Sequence, residues 1–414
     1  MSAMQGDSGS LQSNFAWTFA GNVVYAAGQW AILSLFAKLG SREMLGQYAL
    51  AVAITSPVVM LSHLNLRAVL ATDTAGKHPF GDYMAVRLAA TTAGLAVVAF
   101  LAWSTAGAAP LAGVIFAVGA AQSAENISDI YYGAMQRRER MDWIARSMMV
   151  RAVVSVAALG VVLAVTRSIL PAAIALVAGR VAVLLIYDRR RGSAGECRAR
   201  SGRTGVLAVA RAALPLGMVL MLASFNTNLP RYAIEHRLGT PALGAFAAAA
   251  SFMTTGNTVV NALGQTVTPR LARYFAERSL GRFLRLASQV VLMALALGVA
   301  GVAAAMLAGA PILRILYSPE YAGLAPLLVQ VMVAAIPVYG AGVLGYVVTS
   351  ARAFDAQLPL FCAAAASCGL AAWLLVPRFG LAGAPMALAL SACVQIAGEI
   401  AILARAIRRL EPVH

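Results

Sequence analysis

The chain has 414 residues, of which 60 % are hydrophobic and only 12 % are charged, against roughly 45–50 % and about 25 % in soluble domains. A water-soluble fold of this length cannot hide so much apolar surface, whereas a lipid bilayer can accommodate it. The net charge of +16 would be typical of a nucleic-acid-binding protein. The basic residues lie in short stretches between apolar runs, however, so we expect no nucleic acid as a partner.

Apolar runs long enough to cross a bilayer recur along the whole chain. Each spanning helix needs about 20 largely apolar residues, so roughly twelve spans with short loops account for the full length. The expected fold is therefore all-α, a polytopic membrane protein with about 12 transmembrane helices. The predicted spans lie at about 15–38, 47–69, 83–103, 110–134, 144–166, 169–187, 207–231, 242–266, 284–308, 322–348, 358–376 and 381–404.

The distribution of positive charge predicts that both termini are cytoplasmic. With the N-terminus inside, 18 lysines and arginines fall in the inner loops and the C-terminal tail, and 7 fall in the outer loops. Such an excess on one side is the usual mark of the cytoplasmic face. An even number of spans also requires both termini on the same side.

The longest inner loop, 188–206, is polar, basic and rich in glycine, and it lies at the middle of the chain. It predicts a cytoplasmic linker between an N-terminal six-helix lobe, 1–187, and a C-terminal six-helix lobe, 207–414. Because six is even, the two lobes enter the membrane with the same polarity and are parallel.

An internal repeat supports this division. Residues 38–49 read KLGSREMLGQYA, and residues 237–247 read RLGTPALGAFA, at the same point of each half. Coincidence in a chain rich in Leu, Gly and Ala is the alternative explanation. Parallel duplicated halves usually indicate a substrate path between two lobes and transport by alternating access.

Four short motifs stand at the ends of predicted spans. They are NLR at 65–67 with ATD at 71–73, ENISD at 125–129, NLPRY at 228–232 and YSPEY at 317–321. With these motifs the chain resembles the Wzx-like oligosaccharide flippases, a branch of the multidrug/oligosaccharidyl-lipid/polysaccharide exporter superfamily. The resemblance covers most of the chain, with the motifs in the family's order.

The resemblance implies a two-lobed helical carrier, not an enzyme, in the bacterial cytoplasmic (inner) membrane. Its cargo would be an undecaprenyl-pyrophosphate-linked oligosaccharide, moved to the outer leaflet for O-antigen, capsule or exopolysaccharide synthesis. A glycan polymerase and the chain-length machinery are the expected protein partners.

A pyrophosphate headgroup needs a wet, cationic cavity, and five residues are candidates to line it: Arg180, Arg231, Asn226, Asn228 and Gln29. An arginine at the bilayer centre costs roughly 2.5–3.5 kcal/mol, so it must pair, reach the interface or face water. Guanidinium groups also match phosphate oxygens well. The repeat places Asn228 opposite Gln29. Two alternatives remain open. The amides are explained equally well by hydrogen bonding between helices, and the abundance of arginine by codon bias in a genome rich in Ala and Arg codons.

Five residues near the predicted cytoplasmic ends of spans are gate candidates: Asn65, Arg67, Asp73, Arg87 and Arg270. A cytoplasmic gate fits the family likeness. The structural alternative is an ion pair between Arg67 and Asp73, or an Arg67 side chain that reaches the membrane interface.

Three acids inside predicted spans are candidates for cation coupling. Glu125 and Asp129 are four residues apart and share one helix face, where Arg87 or Arg151 could instead neutralise them. Glu399 is a lone acid in an apolar run. The coupling ion would be Na⁺ or H⁺, and we expect no cofactor and no bound metal.

Two other functions remain open at this point. A multidrug or cation extruder of the same superfamily would place acids rather than arginines in its cavity. A membrane-embedded glycan polymerase or ligase generally needs a long external loop, whereas the longest external stretch predicted here, 309–321, has about a dozen residues. The sequence contains no HExxH, GxSxG or Walker A motif.

Overall fold

The computed structural model describes residues 11–73, 77–105, 109–193, 202–351 and 356–408, and these residues are helical with short connections and no strand. Fourteen α-helices lie in these ranges: α1 Leu11–Leu39, α2 Arg42–His63, α3 Leu66–Thr72, α4 Phe80–Thr105, α5 Ala109–Arg137, α6 Met141–Thr166, α7 Ile169–Val183, α8 Arg189–Gly192, α9 Arg203–Leu238, α10 Thr240–Ala276, α11 Leu280–Leu316, α12 Ala325–Ser350, α13 Gln357–Phe379 and α14 Gly383–Arg408.

Two pairs of helices are separated by very short connections. The two residues Leu64 and Asn65 separate α2 from α3, and a π-helical turn, Leu184–Asp188, joins α7 to α8. Within the described ranges, nine stretches are long and apolar enough to cross a membrane, and one of them, Gln357–Arg408, contains both α13 and α14. The prediction of an all-α polytopic membrane protein is confirmed.

The chain forms two compact units, residues 1–224 and 225–414. The boundary falls inside α9, so the first part of this helix belongs to unit 1 and the remainder to unit 2. Of the predicted linker 188–206, residues 194–201 lie outside the described residues. The division into two parallel six-helix lobes remains a prediction.

Helix α11 is longer than predicted. It runs from Leu280 to Leu316 rather than over 284–308, and a short 3₁₀ turn, Pro319–Leu324, follows it. The predicted outer loop at 309–321 is therefore mostly helix, and this stretch offers no long loop for catalytic groups.

Small residues allow α1 and α6 to pack closely. Gly21 and Gly28, seven residues apart on α1, face Ala145 and Ala152 on α6. A Cβ atom at Gly28 would lie only 2.7 Å from the Cβ of Ala152. Helices in lipid associate largely through such close contacts. This packing brings Tyr25, on the same stretch of α1, next to polar residues of α5.

The NLR motif forms the break between α2 and α3. Leu64 and Asn65 both have left-handed backbone, with φ of 52° and 48°, so the last carbonyls of α2 lack helical partners. The Arg87 side chain from α4 donates to two of them, to Ser62 O at 3.4 Å and to His63 O at 2.8 Å. The motif thus fixes a buried arginine.

Both copies of the repeated sequence lie at turns between long helices. In the first copy Ser41 caps α2, its hydroxyl accepting from Met44 N at 3.2 Å, as serine commonly does at helix starts. In the second copy Gly239 precedes α10 with φ of 82°, a conformation that favours glycine.

Candidate functional site: two carboxylates among four arginines

A buried polar network is centred on α5 in unit 1. Glu125 and Asp129 lie one turn apart on this helix, and their side chains are only 19 % and 16 % exposed. Each carboxylate lies within ion-pair distance of two arginines from other helices. Charged groups at this depth in a membrane protein need such partners.

Glu125 joins α1, α6 and α7. It accepts a hydrogen bond from Arg180 Nη1 at 2.8 Å and one from the Tyr25 hydroxyl at 2.6 Å. Arg151 Nη1 lies 3.6 Å from the same carboxylate. The expected Arg151 partner is present, whereas the pairing with Arg180 was not foreseen, because 55 residues separate the two positions.

Asp129 contacts side chains from α2, α3 and α4. His63 Nε2 lies 3.0 Å from its carboxylate, Arg67 Nη1 lies at 3.4 Å and Arg87 Nη2 lies at 3.5 Å. Arg67 Nε also donates to Gln136 at 2.9 Å. The expected Arg87 partner is therefore present.

The alternative that paired Arg67 with Asp73 is wrong, because the Arg67 guanidinium is paired with Asp129. Asp73 instead accepts from the backbone N–H groups of Lys77 and His78, at 3.0 and 3.2 Å, and from the Tyr83 hydroxyl at 3.0 Å. Partial burial of the Asp73 carboxyl acts to raise its pKa, but these three donors outweigh that effect and hold the pKa below its ordinary value.

A third carboxylate, Asp188, was missed because the sequence placed it at the start of the polar linker. It is fully buried at the end of the π-helical turn. Arg151 Nη2 lies 3.0 Å from it, and the Ser147 hydroxyl donates to it. The signal available in the sequence was the four-residue spacing of Ser147 and Arg151, which puts both on one face of α6.

The network carries more positive than negative charge. Four guanidinium groups, those of Arg67, Arg87, Arg151 and Arg180, face three carboxylates, those of Glu125, Asp129 and Asp188. With His63 neutral, the formal sum is +1. A buried surplus of this sign favours binding of an anion over binding of a cation.

A small cavity with room for about one water molecule lies beside Glu125. It brings together the predicted site residues Gln29 and Arg180. Its polar lining also includes Tyr25, Arg151 and Ser155. The Nε atoms of both arginines and the Ser155 hydroxyl are buried, and they have no hydrogen-bond partner among the described residues. These groups are available to a polar occupant of the size of a water molecule.

The other three predicted substrate-binding residues lie on α9 in unit 2. Asn226 accepts from the Ser391 hydroxyl at 3.0 Å through its side chain, and from the Cys368 thiol at 3.4 Å through its carbonyl. Asn228 is buried, with 4 % exposure. The contacts of Asn226 fit the interpretation that the amides hold helices together. Placing these residues with Gln29 and Arg180 in one cavity remains a prediction.

Arg231 differs from the arginines of the α5 network. It is half-buried on α9, and its side chain makes no hydrogen bond or ion pair with any residue that the structure describes. Arg270, predicted as a gate residue, is exposed on α10.

Glu399 on α14 differs from Glu125 and Asp129 because no arginine that the structure describes pairs with it. It is 3 % exposed, and Gln395 Nε2 donates to its Oε1 at 2.9 Å. Its Oε2 is buried without a hydrogen-bond partner, and no basic side chain in the described part of the chain pairs with it.

Comparison with solved structures places this fold among membrane transporters. An inward-facing multidrug resistance transporter of the MATE family, in the MOP superfamily, superposes with a TM-score of 0.76 at 11 % identity, over 95 % of this chain and 100 % of that one. The lipid II flippase MurJ, in an inward closed conformation, gives a TM-score of 0.73 at 12 % identity, over 96 % and 90 % of the two chains. The fold and the charged helical core thus define a multi-pass membrane protein of the transporter fold that these two proteins share.

Sequence comparison narrows the class. The capsular polysaccharide biosynthesis protein CapF of Staphylococcus aureus is 23 % identical over 394 residues, which are 93 % of this chain and 97 % of CapF. A family model described as polysaccharide biosynthesis protein matches residues 11–275, more than half of the chain. The chain belongs to this polysaccharide biosynthesis protein family, in agreement with the flippase resemblance carried by its motifs.

Proposed function

We propose that the protein moves an undecaprenyl-pyrophosphate-linked oligosaccharide outward across the bacterial cytoplasmic membrane by alternating access. One combination carries this proposal: a member of a polysaccharide biosynthesis family has the fold of membrane transporters. A step of polysaccharide synthesis that needs a transporter is the passage of a lipid-linked glycan from the cytoplasmic to the outer leaflet. A glycan polymerase with its chain-length machinery would then consume the product.

The charge of the site supports an anionic cargo. The α5 network in unit 1 has four arginines against three carboxylates. In unit 2, taken by itself, Arg231 is a guanidinium that no described carboxylate neutralises. The cavity of a cation extruder would favour the opposite balance. The undecaprenyl chain can stay in lipid, so only the pyrophosphate and the sugars need polar surroundings.

The arginines are not equally available to the cargo. Arg180 is held by Glu125 at 2.8 Å, and the cavity beside it has room for only about one water molecule. A pyrophosphate would have to displace Glu125 before it bound there. Arg231 needs no such exchange, and we propose that it binds the phosphate groups without first losing a partner.

Cation coupling, if the transporter uses Na⁺ or H⁺, would act at Glu399. Glu125 and Asp129 are each neutralised by two arginines, so a further cation gains little beside them. Glu399 has one buried oxygen without a hydrogen-bond partner, and its other oxygen accepts a hydrogen bond from the Gln395 amide. A proton or a small cation there would remove the cost of burying its charge.

The test is complementation of a bacterial strain that lacks this gene. Loss of flipping should trap single lipid-linked repeat units on the cytoplasmic side, where a membrane-impermeant glycosidase added to intact cells cannot reach them. The Arg231→Ala variant should restore export poorly, whereas the Arg285→Ala variant, which changes an exposed arginine on α11, should restore it fully. Repeat units trapped on the outer face would instead indicate a polymerase. Normal export with lost drug tolerance would indicate an extruder.

A further inference from the structure

Trp143, near the start of α6, lies between two guanidinium groups. The Arg140 guanidinium carbon is 4.1 Å from the indole centroid, and that of Arg191, at the end of α8, is 5.0 Å from it. Cation–π contacts of this kind hold charged side chains over an aromatic ring. They join the first turn of α6 to the last turn of α8.

The basic surface around Trp143 has few acids among the residues that the structure describes, and Asp142 is the one beside Arg140 and Arg146. Arg146, Arg189, Arg190 and Arg191 are exposed, and none of them forms an ion pair with a carboxylate that the structure describes. Asp142 is engaged by Arg140, with two contacts of 2.9 Å. We call Trp143 and these four arginines the Trp143 patch.

An exposed apolar surface begins where the Trp143 patch ends. Val150 and Val153 follow Arg146 by four and seven residues, so they share its face of α6, and they are 43 % and 63 % exposed. On the neighbouring helix, Leu185 and Ile186 are 50 % and 64 % exposed about one turn before Arg189. Charge above exposed apolar side chains matches the headgroup and acyl chains of a lipid.

Unit 2 contains a similar cluster whose charge is compensated. Tyr274 lies between Arg273 and Arg282, with guanidinium-to-ring distances of 5.7 and 5.3 Å. Both of these arginines lie within ion-pair distance of Glu277, at 3.9 and 3.6 Å. Both clusters therefore have arginines stacked on an aromatic ring, but in the described part of the chain only the arginines of the Tyr274 cluster lie within ion-pair distance of a shared carboxylate.

We infer that the Trp143 patch is a binding site for an anionic phospholipid of the bilayer, such as phosphatidylglycerol or cardiolipin. The phosphate would lie among the exposed guanidinium groups and the acyl chains along the Val150 and Ile186 surfaces. The patch uses a different face of α6 from the one that carries Arg151 into the α5 network. A resident lipid is thus favoured over the transported cargo, and the inference does not depend on the proposed function. Clustered basic residues beside membrane helices commonly select anionic lipids.

The test compares lipid retention by the purified full-length protein, using native mass spectrometry with phosphatidylglycerol and phosphatidylcholine of identical acyl chains. The wild-type protein should retain phosphatidylglycerol preferentially, and the R189Q/R190Q/R191Q variant should lose at least tenfold of that preference. The R273Q/R278Q/R282Q variant removes the same number of charges, two from the Tyr274 cluster and one from the exposed Arg278 in the turn that follows α10, and it should behave as the wild type. The R189K/R190K/R191K variant should recover most of the binding, which separates lost charge from misfolding.

Three results would overturn the inference. Equal retention of both lipids by the wild type would show that no anionic headgroup is selected. An equal loss in the Tyr274-cluster variant would show a dependence on net charge alone. Tighter retention of undecaprenyl phosphate than of phosphatidylglycerol, abolished by R189Q/R190Q/R191Q, would assign the patch to the cargo instead.

Discussion

Arg180 on α7 and Glu125 on α5 form a largely buried ion pair of 2.8 Å within unit 1. The pair is 55 residues apart in sequence and both partners are largely hidden, with side chains 5 % and 19 % exposed. The pair stabilises the buried Arg180 guanidinium, which would otherwise have to contact lipid or water. An anionic cargo that takes the place of Glu125 at Arg180 Nη1 must first break this pair.

Removing one partner of the pair should therefore be costly. Glu125→Ala leaves Arg180 buried without its closest carboxylate, and we expect a loss of about 3–5 kcal/mol in unfolding free energy. The double variant Glu125→Ala/Arg180→Met should lose clearly less than the sum of the two single changes. Unfolding of the purified variants in mixed detergent micelles measures this, and strict additivity would show that the two side chains are not coupled.

The contact between α1 and α6 should tolerate no added methyl group. Gly28→Ala would place a Cβ 2.7 Å from the Cβ of Ala152, so we expect a loss of about 1–3 kcal/mol despite the better helix propensity of alanine. Ala152→Gly in the same chain should recover most of the loss. Thermal unfolding in detergent reports both effects.

The matched control for this change is Gly281→Ala. A Cβ at Gly281 meets no atom within 4 Å, so its stability should stay the same or rise slightly. Equal losses for the two glycine changes would mean that the α1–α6 contact is looser than described.

Substitution of Glu399 should affect stability much less than substitution of Glu125. Its Oε2 is unpaired, so Glu399→Gln breaks no ion pair, keeps an acceptor for Gln395 and should change the stability by less than about 1 kcal/mol. If Glu399 is the coupling site, transport by this variant should no longer respond to an imposed proton or sodium gradient. Gradient-dependent transport that survives the change would move the coupling site elsewhere.

Asp73 should contribute to stability only above acidic pH. Its folded-state pKa is held below the ordinary value of 3.8 by three hydrogen-bond donors, so the contribution is full above that value and is lost as the pH falls through the lower folded-state pKa. Asp73→Asn should thus lower the melting temperature at pH 7, and the difference from the wild type should shrink as the pH falls below 3.8. A gap that widens in acid would contradict the assigned hydrogen bonds.

The helices were predictable because long apolar runs, separated by short polar stretches, predict membrane-spanning helices. Less apolar helices such as α5 were still recognisable, since Glu125 and Asp129 fall on one face and leave the other faces apolar. The extent of α11 was underestimated at its end, because the weaker hydropathy around Pro311 and Arg314 resembled a loop.

The partners inside the network were much less predictable. Sequence spacing puts Glu125 and Asp129 on one face, but it cannot show which arginine from another helix reaches that face. The wrong pairing of Arg67 with Asp73 came from treating nearby residues as neighbours. The left-handed backbone at Leu64 and Asn65 sends the chain in a new direction, and Arg67 then meets α5.

The most direct test of the central claim is a translocation assay in proteoliposomes that contain the purified protein. A short lipid-pyrophosphate oligosaccharide placed in one leaflet is followed by a membrane-impermeant enzyme that modifies its sugars from the other side. The proposal predicts rapid protein-dependent exposure of the sugars, and at least tenfold slower exposure with Arg231→Ala at unchanged melting temperature. Equal movement of a lipid with an uncharged headgroup, or undiminished movement with Arg231→Ala, would contradict the account.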